Sequence, residues 1–93
     1  MIMEKKMPEI SRFEGIIIRM FFRGEHNPPH FHAFHGDNVA VFSIKSGQMI
    51  EGDFPTKKAA LVTAWTILHQ DDLIKNWNNL AKGEKALKIK PLR

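Results

Sequence analysis

Residues 15–23 read Gly-Ile-Ile-Ile-Arg-Met-Phe-Phe-Arg, and this β-branched and aromatic stretch decides the class of fold. Successive side chains of a strand point to opposite faces of its sheet. One face of this stretch is fully apolar and consists of Ile16, Ile18, Met20 and Phe22. The other face is half polar and consists of Ile17, Arg19, Phe21 and Arg23. The pattern predicts a strand over about residues 15–23, in a sheet that is covered on one side only.

Turn-forming residues divide the next part of the chain into three further strands. Pro28 and Pro29 cannot donate hydrogen bonds to a sheet, so they form a loop that leads into a strand over residues 30–35. Residues 36–38 read Gly-Asp-Asn and residues 46–47 read Ser-Gly, and both segments are typical of tight turns. We therefore expect strands over about residues 39–45 and 48–53, and a meander of antiparallel strands.

From Thr56 the apolar spacing becomes helical. The apolar stripe slips out of phase near Gln70 and Asp71, which predicts two helices, about residues 56–69 and 72–82, with Asp71 capping the second. The tail alternates apolar and basic residues, and predicts an edge strand over about residues 86–90. The predicted fold is α+β: an antiparallel four- to five-stranded meander sheet with two helices packed on one face. The predicted core consists of Ile16, Ile18, Met20, Phe22, Val41, Leu61, Trp65, Leu68, Leu73, Trp77 and Leu80.

Composition restricts the classes of function. The 93 residues predict a single domain over residues 7–93, preceded by a flexible extension over residues 1–6. The absence of cysteine excludes disulfides, thiolate nucleophiles and cysteine-bound metal. No apolar run is long enough to span a membrane, so we expect a cytoplasmic protein that does not bind membranes. The formal net charge of +4 is compatible with an RNA or acidic partner.

Four of the five histidines lie in residues 26–35, and this segment is the predicted functional site. On a regular strand His30 and His32 share a face, and the stiff Pro-Pro pair can hold His26 near them. These three histidines are the predicted site. The spacing leaves three roles open: organising the loop, binding a divalent metal, or acid–base catalysis of RNA cleavage. In the RNA interpretation, the predicted phosphate-binding residues are Arg12, Arg19 and Arg23.

Aromatic residues divide into two groups. Trp65 and Trp77 lie at the centres of apolar helical stripes, and we expect them, together with Phe21, in the core. Phe31 and Phe34 alternate with histidines on the predicted strand 30–35. If this strand is exposed, aromatic rings beside basic groups would suit single-stranded RNA.

The motif Glu-His-Asn-Pro-Pro-His-Phe-His-Ala over residues 25–33 resembles a widespread family of small bacterial proteins. The family is a domain of unknown function, number 4160 in its series. The likeness begins at residues 7–13, Met-Pro-Glu-Ile-Ser-Arg-Phe, continues through residues 52–55, Gly-Asp-Phe-Pro, and ends at residues 88–92, Lys-Ile-Lys-Pro-Leu.

The resemblance implies a gene neighbourhood like that of a toxin–antitoxin pair, and hence a small cognate protein partner encoded nearby. Three hypotheses follow. The protein is a partner-binding component of such a module that acts on RNA through its histidine segment, or it is a divalent-metal-binding protein or metalloenzyme that uses His26, His30 and His32. The third hypothesis is a purely structural interaction module. An exposed edge strand would also allow dimerisation by sheet extension.

Overall fold

Five antiparallel strands form one sheet in the computed structural model, which describes residues 8–22 and 28–92. The strands are β1 (Glu9–Phe13), β2 (Ile16–Arg19), β3 (His30–His35), β4 (Asn38–Ser43) and β5 (Met49–Gly52). They lie side by side in chain order, and the helices α1 (Thr56–Leu68) and α2 (Gln70–Ala81) follow. The predicted α+β class and the meander sheet are confirmed.

Two tight turns fix the register of this sheet. Phe13 pairs with Ile16, and the two residues between them both have positive φ angles, 52° at Glu14 and 75° at Gly15. This is the backbone of a type I′ hairpin, whose twist matches that of its strands. At the β3–β4 turn, Gly36 with φ 58° supplies the positive angle that a two-residue loop needs.

The fifth strand lies at the opposite end of the chain from the predicted one. The sequence predicted an edge strand over residues 86–90, but these residues form no strand, and β1 is the fifth strand instead. The carbonyl oxygens of Leu87 and Lys90 accept hydrogen bonds from the side chains of Asn76 and Trp65. Side chains therefore occupy backbone groups that a strand ladder would need, and Ile89 alone donates to β1, at Ile10 O, 2.7 Å away.

The other predicted strands are shorter in the structure, except for residues 30–35, which match β3. Of the predicted strand 15–23, residues 16–19 form β2, residues 20–22 form no strand, and residue 23 lies outside the described residues; the amide of Met20 still donates to Pro8 O at 3.2 Å. The predicted strands 39–45 and 48–53 correspond to β4 and β5. A β-bulge shortens β5, because Val41 pairs with Glu51 while the next residue, Phe42, pairs with Met49.

The core lies between one face of the sheet and the helices. The Trp65 ring of α1 packs against Phe13 and Phe31, at centroid distances of 5.3 and 5.7 Å. The ring of Trp77 in α2 packs edge-on against Phe22, at 5.0 Å. Six of the predicted core residues are buried: Ile16, Ile18, Met20, Trp65, Leu73 and Trp77.

Two core predictions are wrong. Leu68 is 69% exposed, because it occupies the last turn of α1, beyond the stripe that faces the sheet. Val41 is only half-buried, because it lies on the opposite face of β4 from the buried Ala40 and Phe42. Phe31 and Phe42 are fully buried and stack at 5.8 Å, which the sequence did not predict.

The helix break lies one residue earlier than predicted. His69 alone separates the helices, so Asp71 lies inside the first turn of α2 and is not its cap. The side-chain amide of Gln70 donates to Ile44 O and Lys45 O, at 3.1 and 2.8 Å, which attaches the start of α2 to the end of β4. These bonds fix where α2 begins.

The predicted extension over residues 1–6 lies outside the described residues. Neither α1 nor α2 is long and apolar enough to cross a membrane, a finding that applies to residues 8–22 and 28–92.

A candidate binding face on the outer side of the sheet

The face of the sheet opposite the core, here called the outer face, carries a mixture of aromatic, aliphatic and charged side chains. Residues paired across neighbouring strands lie on the same face. One row across the outer face is Arg12, Ile17, Phe34 and Val39. The next row is Arg19, His32, Val41 and Glu51. The apolar members of both rows remain half-buried or exposed, whereas Ile16, Ile18 and Phe42 on the core face are fully buried.

Three rings line up on this face. The Phe21 and His32 rings stack with centroids 5.1 Å apart and planes 27° apart. His32 stacks in turn on Phe34, at 6.4 Å and 23°. The Arg19 guanidinium also lies over the Phe34 ring, with Cζ 6.0 Å from the ring centroid, within the range of a cation–π contact. The ring row, Phe21–His32–Phe34, is thus a series of planar groups with a cation over one of them.

The pairing of the strands explains why these groups meet. Arg19 of β2 pairs directly with His32 of β3, and His32 and Phe34 are two residues apart on one strand. Side chains with that spacing stand beside each other on the same face.

A charged cluster adjoins the ring row at the β1 edge. The Arg12 guanidinium donates two hydrogen bonds to the Glu9 carboxylate, at 3.0 and 2.8 Å. Arg19 Nη2 lies 4.0 Å from the same carboxylate. The hydrogen bond from Arg12 lowers the pKa of Glu9 from its usual range, and the charges of Arg12, Lys88 and Arg19 lower it further. The same hydrogen bond raises the pKa of Arg12. Three cations thus surround one carboxylate, and the cluster is positive.

His30 is held differently from His32. It is buried, its ring lies 5.1 Å from Trp77, and Nδ1 is 2.9 Å from Pro28 O. A carbonyl oxygen can only accept, so Nδ1 of His30 is the donor of this hydrogen bond. This arrangement fits the loop-organising role, because it ties β3 to the Pro-Pro segment.

The structure brings together part of the predicted site. Arg12, Arg19 and His32 share the outer face, and the His30 ring lies 5.8 Å from that of His32. His26 and Arg23 lie outside the described residues, so the three-histidine arrangement stays a prediction. Among residues 8–22 and 28–92, no three His, Asp or Glu side chains are grouped so that they could hold a metal ion.

Sequence reasoning missed Phe21 and Glu9, which lie on this face, and Lys88, whose charge acts on Glu9. Phe21 was predicted to be in the core, yet it is half-buried and stacks on His32. The period-two pattern had already placed it with Ile17 and Arg19, and following that pattern would have found it. Glu9 and Lys88 were missed because their proximity depends on β1 and on the path of the tail, which the sequence pattern does not reveal.

The fold and this face define a small α+β protein with a five-stranded sheet, one face of which carries a row of aromatic rings and a positive cluster at its β1 edge. The sequence model of the family described as "Domain of unknown function (DUF4160)" matches residues 15–78, and the chain belongs to this family. The matched segment contains the ring row and Arg19, whereas Glu9, Arg12 and Lys88 lie outside it. No curated protein and no solved structure matches the chain.

Proposed function

We propose that this protein binds single-stranded RNA through its outer face, as a cytoplasmic component of a toxin–antitoxin-like module that works with a small cognate protein. The observation that carries the proposal is the ring row on a sheet face opposite the helices, with the Arg19 guanidinium over Phe34. Proteins that bind single strands combine aromatic side chains with cations that follow the backbone.

Stacking supplies the first part of the interaction. An unpaired base can extend the ring row at an end or enter between His32 and Phe34, the more widely spaced pair. Each stacked base is worth about 1–3 kcal/mol. Bases in a duplex already stack on each other, so this surface favours single strands over duplexes.

The charged cluster supplies the second part. Arg19 lies over Phe34 of the ring row, and Arg12 and Lys88 act with it on the Glu9 carboxylate, so we expect phosphates attached to stacked bases to meet these cations at the β1 edge. An arginine guanidinium presents paired donors that match a phosphate group. Glu9 orients Arg12 but also competes with phosphate for its donors.

Fluorescence anisotropy with a labelled single-stranded RNA of about ten nucleotides, within the usual site size, tests the RNA part. Phe34→Ala removes one ring of the row, and we expect it to weaken binding by roughly 5- to 150-fold, the equivalent of one lost stack. Phe34→Leu keeps the apolar volume and should lose nearly as much. The matched control is Leu68→Ala, an exposed apolar residue on α1, which should leave affinity unchanged. Equal affinities for all four proteins, or equal binding of the duplex, would contradict the proposal.

Co-expression tests the module. The product of the neighbouring gene should co-purify with this protein and should change the growth of cells that express it. If the two products do not associate, the module part of the proposal is wrong, whereas the RNA result stands by itself.

A divalent-metal site formed by His26, His30 and His32 is the second candidate function. The observation that favours it is the bond from His30 Nδ1 to Pro28 O, since metal-binding histidines usually donate their other ring N–H to such a carbonyl. Metal content of the untagged protein, measured by mass spectrometry, and thermal shifts with zinc, nickel or manganese test it. Near-stoichiometric metal that is lost in His32→Ala would support the site, and metal-free protein with no shift would reject it.

A further inference from the structure

The two edges of the sheet differ in whether another part of the chain packs against them. At the β1 edge the tail is fixed in three places: Ile89 N donates to Ile10 O at 2.7 Å, the Asn76 side-chain amide holds both backbone groups of Leu87, and Trp65 Nε1 donates to Lys90 O. At the opposite edge, β5 pairs with β4 on one side, and within residues 8–22 and 28–92 no strand pairs with its other side. The outward backbone groups of β5 are thus available for another strand.

The side chains of β5 are also exposed. All four residues of the strand are exposed, and Ile50 and Met49 are 51% and 39% accessible. The bulge leaves Ile50 without a partner on β4, since the flanking residues Met49 and Glu51 pair with consecutive residues of that strand. Met49 and Ile50 therefore present exposed apolar side chains beside the free backbone groups of this edge.

The charges near β5 restrict which kind of segment can pair with this strand. Residues 48–53 carry two carboxylates, Glu51 and Asp53, both exposed, and no lysine or arginine, on a chain whose formal net charge is +4. A second copy that paired β5 with β5 would bring two such acidic segments together, and like charges across paired strands are destabilising. A segment with alternating basic and apolar residues would instead oppose cations to the carboxylates and an apolar residue to Ile50.

We propose that the β5 edge binds an extended segment of the cognate protein, with alternating apolar and basic residues, as an added sixth strand. This inference rests on the partner-binding part of the proposed function and is independent of the RNA part. Backbone hydrogen bonds along the edge give such complexes their affinity, and alternate side chains give them specificity. The tail that covers the β1 edge prevents the same segment from binding at both edges.

The test uses the full chain and a capped peptide that alternates lysine and valine. Binding is followed by anisotropy, and the bound site is located by amide hydrogen exchange. We expect slower exchange in residues 48–53 and unchanged exchange in residues 9–13. A peptide with glutamate in place of lysine should bind at least about tenfold more weakly, because charge complementarity controls the choice of partner.

Variants of the edge complete the design. Glu51→Lys should weaken binding of the lysine peptide by roughly tenfold, whereas Glu84→Lys, an equal change at an exposed site beyond α2, should not. Protection outside β5, equal binding of both peptides, or dimerisation of the free protein through β5 would overturn the inference. Phe34→Ala distinguishes the two proposals, because it should weaken RNA binding and leave peptide binding unchanged.

Discussion

The two faces of β3 use similar residues for different purposes. On the core face, Phe31 is fully buried between Phe42 and Trp65, at 5.8 and 5.7 Å. On the outer face, Phe34 is half-buried and stacks on His32 beneath the Arg19 guanidinium. The strand has the same backbone on both sides. The two faces differ in what packs against them. The Phe31 ring is shielded from water by α1, whereas the Phe34 ring stays accessible. We infer that stability depends on one face and binding on the other.

Truncating each phenylalanine gives the largest expected contrast between the faces. Phe31→Ala leaves a cavity against Trp65 and should lower the free energy of unfolding by about 3–5 kcal/mol. Phe34→Ala removes a half-buried ring, which leaves no closed cavity, and should cost less than about 1.5 kcal/mol. Urea unfolding measures both. If Phe31→Ala does not fold, Phe31→Leu gives the same comparison with a smaller loss. Equal losses of unfolding free energy at the two positions would show that the core face does not contribute more to stability than the outer face.

The two histidines offer the same comparison with polar side chains. His30→Ala removes the hydrogen bond to Pro28 O and the contact with Trp77, and should cost about 1–3 kcal/mol. His32→Ala interrupts the ring row, so we expect a larger loss of RNA affinity than of stability. Thermal unfolding and anisotropy on both variants check this. A His30→Ala protein with unchanged stability would contradict the loop-organising role.

The outer face also shows how far sequence reasoning extends. Period-two alternation in residues 15–23 correctly separated Ile18 from Arg19, and alternation in residues 30–35 predicted that His30 and His32 share a face, where their rings lie 5.8 Å apart. Alternation is a local property of a strand, so it can be read directly from the residues. The same pattern contained Phe21, which was assigned to the core because aromatic residues are usually buried.

Long-range neighbours could not be predicted in this way. β1 was missed because Glu-Ile-Ser-Arg-Phe is short and has only a weak alternation, and β1 becomes a strand by pairing with β2. The tail alternates better than β1, yet Asn76 and Trp65 take its backbone groups. The charged cluster joins residues from β1, β2 and the tail, so it exists only once these three segments meet.

Neutralising a single cation of the charged cluster should have a moderate effect. Arg19→Gln removes one phosphate-binding charge and the cation over Phe34. We expect weaker binding for all single-stranded sequences, and the negative slope of log affinity against log salt should become shallower by about 0.7, the value for one phosphate contact on a single strand. Anisotropy titrations at several salt concentrations measure the slope. Lys75→Gln, on the exposed side of α2, is the control and should leave the slope unchanged. A change of affinity without a change of slope would assign Arg19 to stacking alone.

The smallest expected effect concerns Glu9, which lies where the outer face meets the β1 edge. Its pKa in the folded protein is lowered, chiefly by the hydrogen bond from Arg12, so the carboxylate stabilises the fold above its unfolded pKa. That contribution is lost as the pH falls through the lowered folded pKa. Wild type should therefore be slightly more stable than Glu9→Gln at pH 7, and the difference should disappear at acidic pH. The difference is small because the ion pair is exposed to solvent.

RNA affinity should change in the opposite direction in the same variant. The neutral amide of Glu9→Gln would compete less with phosphate for the Arg12 donors than the carboxylate does, and anisotropy at pH 7 measures the gain. If Glu9→Gln instead weakened RNA binding at pH 7, the carboxylate would be orienting Arg12 for phosphate, and the outer face would depend on the pair as a unit.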